Sequence, residues 1–218
     1  MEKEAWGVFQ SLIAAGSGLT GVWFGGHLTS QREKKRQVEE RRLAATYLAA
    51  LVLAHLDRFV EGCVDVAYDD GTSEGRPAGE SGYHQATSIA PVFDPLSLDV
   101  DWKSISPELM YDLLNLPHRT LELQRFLSDP GFEDPPDHLD YFLTRQQEFT
   151  QLGLDVTGLA ARLRSFADLP LPPRAPHGQS REALLQERME HLSSTRRELS
   201  ERRAAFAALA PLAPPIAT

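Results

Sequence analysis

Residues 43–68 read LAATYLAALVLAHLDRFVEGCVDVAY, a stretch without proline. Its apolar side chains recur at alternating spacings of four and three residues, which is the repeat of one buried helix face. The members of this seam are Ala45, Ala49, Val52, Leu56, Phe59, Cys63 and Val66. Leu48, Leu51 and His55 widen the face, which is typical of a helix inside a bundle rather than of a two-stranded zipper. We therefore predict that residues 43–68 form the core helix of an all-α body.

A second apolar stretch precedes this helix. From Ala5 to Gly26 no side chain carries a charge, and this length of helix rises about 33 Å, enough for a hydrocarbon core of about 30 Å. Each glycine costs a water-exposed helix about 1 kcal/mol, whereas in lipid the backbone has no other hydrogen-bond partners. We therefore predict one transmembrane helix within residues 1–30, rather than the buried first helix of a soluble protein. A cleaved signal peptide fits poorly, because a charged block stands where cleavage would occur.

Small residues lie on one stripe of the predicted span. Ala14, Gly18, Gly21 and Gly25 follow one another at spacings of four and three residues. Gly21 and Gly25 form a small-xxx-small pair, which lets two helices approach closely in lipid. We expect these four residues, the glycine stripe, to make helix–helix contacts in the membrane.

A basic block follows the predicted span. Residues 32–42 hold six Lys or Arg against three Glu, whereas only Lys3 is basic before the span. Because basic flanks stay on the cytosolic side, the block predicts an outward amino terminus and a cytosolic body. We favour this topology signal over a nuclear-import or lipid-specific role for the block, whose basic members are Arg32, Lys34, Lys35, Arg36, Arg41 and Arg42.

The charge of the remaining chain excludes some partners. The whole chain has a net charge of −9, and the residues after 42 contain 15 basic and 26 acidic side chains. Such an acidic body repels a phosphate backbone, so we expect no nucleic acid as a partner, and adhesion to anionic lipid only through the basic block. Cys63 is the only cysteine, and no CxxC or HExxH spacing occurs. The sequence therefore predicts no metal site, cofactor or catalytic residue.

The residues after the seam helix lack a helical period. Over 69–105 turn-forming residues predominate, and we expect a mobile loop at this place. Its part SIAPVFDPLSLDVDW (88–102) is apolar enough to lie on the body as an ordered strap.

Two helical regions complete the predicted bundle, which spans residues 31–168. Ser106 and Pro107 are a strong helix start, and we expect Pro117 to break or kink this helix before a second short one at 118–128. The sequence DPPD (134–137) then opens a long helix whose apolar side includes Phe149 and Phe166. Its length matches that of the 43–68 helix, and we expect the two to pack antiparallel. Gly153 and Gly158 inside it predict close contact with a neighbouring helix.

The carboxyl-terminal part begins with a proline-rich linker at 169–179, which we interpret as a stiff spacer. A long amphipathic helix is predicted at 180–210. Its apolar ridge repeats every seven residues, at Leu185, Leu192, Leu199 and Phe206. Because Arg196 and Arg203 occupy the companion row, we expect the ridge to pack on the body or on a partner rather than as a self-sufficient coiled coil.

Two segments resemble those of small uncharacterised bacterial membrane-anchored helical proteins. They are VDWKSISPELMYDLLNLP (100–117) and QQEFTQLGLDVTGLAARLR (146–164). Such proteins have an amino-terminal hydrophobic segment and a Trp-Lys-x-Ile/Leu element before a helix. The resemblance implies residence in the bacterial inner membrane and brings no activity with it.

Two classes of function remain open. The first is a non-enzymatic, membrane-tethered helical protein that binds another protein or itself at the cytosolic face. The second is a membrane-anchored enzyme with an acidic loop site, for which the candidates are Asp69, Asp70, Asp99, Asp101, His84 and Trp102. A phage-encoded envelope or lysis factor is a further alternative, although the basic block opposes its usual topology.

Overall fold

The computed structural model describes residues 2–129, 131, 137–171 and 179–209, and it describes side chains from Gln31 onward except those of Ser81 and Leu209. Within this part of the chain nearly all regular structure is helical, so the protein is all-α, as predicted. The helices are α1 (Glu2–Ala67), α2 (Pro107–Leu127), α3 (Leu139–Phe166) and α4 (Arg181–Leu209).

α1 is a single helix of 66 residues that joins the amino-terminal segment to the core of the body. The predicted seam is buried throughout, and Phe59 is only 2% exposed. Burial contributes about 1.5–3 kcal/mol for each large apolar side chain, which stabilises the helix as far as Ala67. By contrast, every side chain of residues 31–43 is exposed, and we call this segment the stalk.

α1 also contains the candidate membrane helix of the chain. Among residues with described side chains, the part from Gln31 to Ala67 is long and apolar enough to cross a membrane, with a mean hydropathy of 1.4 in its most apolar window. In that window 44% is buried inside the protein, because the seam of the bundle falls there. The predicted span at 5–26 precedes it on the same helix, and the surroundings of its side chains lie outside the described residues.

α3 packs antiparallel to α1, as expected from the sequence. Arg145, near the start of α3, pairs with Asp69 just beyond the end of α1. Two turns later Gly153 faces Cys63, which lies earlier in α1. The two helices therefore run in opposite directions, and Phe149 and Val156 are buried between these contacts.

α2 and α4 also run antiparallel to α3. The α2–α3 ion pairs are Arg119–Asp155 and Asp112–Arg162, and the α4–α3 contacts are Leu185–Gly153 and Arg203–Asp140. In each set, the contact residue in α3 moves toward the amino terminus as the contact residue in α2 or α4 moves toward the carboxyl terminus. α3 is thus the central helix, and α1, α2 and α4 share one direction.

The prediction that Pro117 would break the second helical region is wrong. α2 runs without interruption through Pro117, and no separate helix begins at residue 118. Proline removes one backbone donor, but burial of Leu113 and Leu116 before it and of Thr120 after it holds the turns together. The predicted start is correct, because the hydroxyl of Ser106 accepts a hydrogen bond from the backbone N–H of Leu109 at 3.3 Å.

α3 begins later than predicted, at Leu139, and residues 134–136 of the predicted start lie outside the described residues. Gly153 makes the close helix contact expected of it, since a Cβ there would lie 2.8 Å from Cδ1 of Leu185. The same expectation is wrong for Gly158, which faces open space. Phe166 is 46% exposed, because it stands at the edge of the buried face in the last turn.

The apolar ridge of α4 is covered by the body only in its first half. Leu185 and Leu192 are buried, whereas Phe206 is 79% exposed. Arg196 donates to the hydroxyl of Thr144 at 2.8 Å, and Arg203 donates to both carboxylate oxygens of Asp140. The companion arginines therefore bind polar side chains of α3.

Residues 69–105 contain only short elements. A hairpin of β1 (Thr72–Ser73) and β2 (Arg76–Pro77) is followed by 3₁₀ turns at Glu80–Gly82, Pro95–Ser97 and Trp102–Ser104. The strap does lie on the body: Phe93 is 4% exposed, and Pro91 packs against Gly62 of α1. The mobility expected of this loop remains a prediction.

Candidate functional site

The densest group of buried polar side chains lies where α1 ends. Asp69 follows the helix, and its carboxylate accepts five hydrogen bonds. Oδ1 accepts from the Gly71 N–H at 3.0 Å and the Thr87 hydroxyl at 2.8 Å. Oδ2 accepts from the N–H groups of Thr87 and Ser88 at 2.9 and 2.8 Å, and from Nη1 of Arg145 at 2.7 Å.

Local sequence explains why the chain turns at this point. The carboxylate of Asp69 holds the N–H two residues on, which is the usual Asx turn. Gly71 has a φ of 77°, in the left-handed region that favours glycine. A Cβ at Gly71 would lie within 3 Å of the Phe142 ring, so the ring of α3 packs directly on this turn.

α3 supplies the cation and the amide of the group. The side chain of Arg145 is 6% exposed and that of Asp69 0%, so the ion pair is buried. Nη2 of Arg145 also donates to the Ser88 carbonyl at 2.6 Å, and Nε2 of Gln146 donates to the Asp69 carbonyl at 2.8 Å. One short segment of α3 therefore fixes both the end of α1 and the start of the strap.

α4 joins the group through Arg188. Its Nε donates to the carbonyl of Ala67 at 2.8 Å, and its Nη2 donates to Oε1 of Gln146 at 3.1 Å. Its guanidinium stands 4.9 Å from the centre of the Tyr68 ring, a cation–π contact. A cation at the carboxyl end of α1 also satisfies a carbonyl that the helix leaves free. We call Asp69, Thr87, Ser88, Arg145, Gln146 and Arg188 the polar junction.

The electrostatics of the polar junction indicate a fixed ion pair. Burial raises the pKa of Asp69, but hydrogen bonds from Ser88, Gly71, Thr87 and Arg145 outweigh burial, so its pKa lies below the usual 3.8. Burial lowers the pKa of Arg188. Because the five bonds occupy the acceptor positions of the Asp69 carboxylate, it has none left for a substrate or a metal ion. The polar junction therefore has a structural role: its buried hydrogen bonds hold α1, the strap, α3 and α4 together.

A shallow cleft of about 580 Å³ adjoins the polar junction. Asp65, Tyr68, Asp70 and Ile89 contribute to its walls. The carboxylate of Asp70 accepts from the hydroxyl and the N–H of Thr72 at 2.7 and 3.0 Å, and these bonds lower its pKa.

Of the residues considered for an acidic loop site, the structure brings His84 and Asp70 together, whereas Asp101 and Trp102 make separate local contacts and Asp99 is exposed. His84 lies 3.0 Å from the Asp70 carbonyl through Nδ1, Asp101 caps a 3₁₀ turn by accepting from the Lys103 N–H, and Trp102 packs against the core. Asp69 belongs to the polar junction. In the described part of the chain, no three His, Cys, Asp or Glu side chains are placed to hold a metal ion.

The structure places the basic block on the stalk. Its side chains are all exposed. Arg36 pairs with Glu40 at 3.0 Å, and Arg42 pairs with Glu39 at 3.1 Å. The glycine stripe at Ala14, Gly18, Gly21 and Gly25 lies in the amino-terminal part of α1. What surrounds these four residues lies outside the described side chains.

Sequence reasoning missed the α3 and α4 members of the polar junction. Arg145 and Gln146 lie on the apolar face of α3, three and four residues after Phe142 and just before Phe149. Their position on an apolar helix face was the signal that could have revealed the polar junction, because buried polar groups need hydrogen-bond partners. Arg188 left no comparable signal, since its neighbours in the sequence are mostly polar.

Comparison of the chain with protein-family models, with curated proteins and with solved structures gives no match.

Proposed function

We propose that this protein is a membrane-tethered, non-enzymatic helical protein that acts by binding another protein or a second copy of itself at the cytosolic face of the bacterial inner membrane. The observation that carries the proposal is the continuity of α1, which runs as one helix from Glu2 to Ala67. A predicted span and the core helix of the body are therefore parts of one rod.

The polar junction supports a rigid link between tether and body. It attaches the carboxyl end of α1 to α3 and α4 through buried hydrogen bonds, and a buried pair of this kind resists separation. The stalk rises about 1.5 Å per residue, so it holds the body about 20 Å beyond the end of the amino-terminal segment. A protein built in this way presents a fixed surface at a fixed distance from the membrane.

Exposed apolar side chains on the strap offer such a surface. Ile89, Val92 and Leu96 are 87%, 83% and 82% exposed, while Phe93 and Pro95 between them are buried. From Val92 to Leu96 exposed and buried side chains alternate, so the inward residues attach the strap and the outward ones face solvent. Exposed apolar side chains near one another are typical of protein-binding surfaces.

A topology assay tests the tether. A reporter fused after Thr218 should behave as cytosolic, with fluorescence from a cytosolic reporter and no alkaline phosphatase activity. Deletion of residues 1–30 should release a helical body from the membrane fraction. Phosphatase activity at Thr218, or a truncated body that stays in the membrane pellet at high salt, would contradict the proposal.

Self-association is tested by two sets of substitutions in the full chain. Gly21→Leu with Gly25→Leu should reduce chemically crosslinked dimer, because larger side chains hold two membrane helices apart. Leu192→Ala should instead lower stability, since Leu192 is buried against the body. Loss of the dimer on Leu192→Ala alone would place the contact in the cytosolic body.

Purification from mild detergent with mass spectrometry of co-purifying material tests the class of function. A stoichiometric protein partner, or a dimer of this chain, is the expected result. Recovery of a bound metal ion or metabolite instead would favour the membrane-anchored enzyme.

A further inference from the structure

One face of the stalk is basic. The residues on this face lie within about a third of the helix circumference, because their spacings of one, three and four residues follow the helical repeat. They are Lys34, Lys35, Val38, Arg41 and Arg42, and we call them the basic face. Glu33 and Glu40 lie on the opposite side of the stalk together with Arg32 and Arg36, so only the basic face carries charges of a single sign.

The ion pairs of the stalk leave most of the basic face without a carboxylate partner. Arg42 pairs with Glu39, and Arg36, on the other side of the helix, pairs with Glu40. Within the described residues no ion pair involves Lys34, Lys35 or Arg41. Three positive charges therefore point the same way from an exposed helix.

The basic face continues directly into the buried seam. Ala45, Val52 and Leu56 lie on the same side of α1 and are covered by the body, whereas the stalk is exposed on every side. Along one helix face the chemistry thus changes from cationic to apolar at the point where the body begins. An apolar partner would not match the stalk, but an anionic surface would.

We propose that the basic face binds anionic phospholipid headgroups of the cytosolic leaflet, an inference that rests on the proposed membrane tether. If the span ends at Gly26, Lys34 and Lys35 follow it by about 12–14 Å of helix, whereas the headgroup layer extends about 5–8 Å beyond the hydrocarbon. The remaining gap of about 4–9 Å is comparable to one Debye length of about 8 Å, so both lysines reach the surface potential.

Arg41 lies about 22 Å beyond Gly26 and approaches the headgroups only when α1 tilts toward the basic face. The acidic body opposes further approach, because the residues after 42 hold 26 acidic against 15 basic side chains. The two effects together give the stalk a tilt that depends on anionic lipid, with its basic face toward the membrane and the body held off it.

A fluorophore at residue 38 reports this approach in the full chain. Val38 lies in the middle of the basic face and is 66% exposed, so Val38→Cys should label readily. The native Cys63 is buried, which raises its pKa to about 12, and it should stay unlabelled in the folded protein. Labelled protein is reconstituted into phosphatidylcholine vesicles with and without phosphatidylglycerol, each containing a lipid with a nitroxide on its headgroup.

We expect quenching by the headgroup nitroxide to rise about twofold or more with phosphatidylglycerol, and to fall back at high salt. Lys34→Gln with Lys35→Gln should abolish the rise. Arg36→Gln with Arg58→Gln removes the same charge from other, exposed positions of α1 and should preserve it.

Equal quenching in both vesicle types, from protein that resists alkaline extraction, would overturn the lipid contact and leave the tether intact. A salt-dependent signal that does not require phosphatidylglycerol would overturn it too, because the basic face would then approach the membrane without anionic headgroups. Release of the protein from the vesicles by alkaline extraction would overturn both the tether and the lipid contact.

Discussion

Replacement of Asp69 by Asn should destabilise the body far more than the same substitution at an exposed ion pair. Asn keeps the size of Asp, but only one of its side-chain termini accepts hydrogen bonds, whereas the Asp69 carboxylate accepts five. The substitution also leaves the charge of Arg145 buried without its carboxylate. Loss of one partner from a buried ion pair typically costs about 3–5 kcal/mol.

Asp112→Asn is the matched control. Asp112 pairs with Arg162 at 2.7 Å, the same distance as in the Asp69–Arg145 pair, but both side chains of this pair are substantially exposed. An exposed pair contributes about 0–1 kcal/mol, because water screens it. The two variants therefore compare the same chemical change at two levels of burial.

The measurement is urea unfolding of the full chain in a mild detergent, followed by circular dichroism near neutral pH. Asp69→Asn with Arg145→Met should cost less than the two single changes added together, since the double variant leaves no uncompensated charge. If Asp69→Asn costs no more than Asp112→Asn, the polar junction does not lock the body and the reasoning is wrong.

The pH dependence of the difference in unfolding free energy between the unsubstituted protein and Asp69→Asn gives a second check. The pKa of Asp69 in the folded protein lies below its usual value of 3.8. Its ionised form therefore stabilises the fold at pH above 3.8, and this stabilisation is lost as the pH falls through the lower folded pKa. The gap between the unsubstituted protein and Asp69→Asn should be full near neutral pH and should shrink on acidification below 3.8.

Four substitutions test the packing of the bundle, and limited proteolysis tests the loop. Phe149→Ala should cost about 3–5 kcal/mol in unfolding free energy, whereas Phe166→Ala, at a half-exposed ring, should cost much less; equal costs would mean that the central helix is wrongly oriented. Gly153→Ala should cost about 1–3 kcal/mol, because its Cβ would come within 3.0 Å of Cys63. Gly158→Ala should instead stabilise α3 by about 0.4–1 kcal/mol, since the site is open, and a loss there would contradict the structure. Limited proteolysis should cut first within residues 71–82, and protection of that segment with cleavage elsewhere would show that it is docked.

Local pattern was enough to predict that the chain is mainly helical and how two of its helices pack. The seam from Ala45 to Val66 and the apolar face around Phe149 both repeat with the helical period, and the periodicity of a sequence is a local property. Their similar length favoured antiparallel packing, which the contacts of α1 with α3 confirm. The errors at Pro117 and Gly158 have one origin, because burial and open space around a residue depend on neighbours far along the chain.

The sequence by itself thus determined an all-α chain, a buried seam and an exposed basic segment before it. These features follow from the spacing of apolar residues and the positions of charged ones, which are properties of the sequence alone. Only the tertiary structure decided what the polar residues do. Asp69 and Arg145 stand far apart in sequence, and Arg188 further still, yet the antiparallel crossing of α1, α3 and α4 brings them into one buried group. A polar side chain in a helix looks the same in sequence whether water or a buried partner satisfies it, and only the fold distinguishes the two.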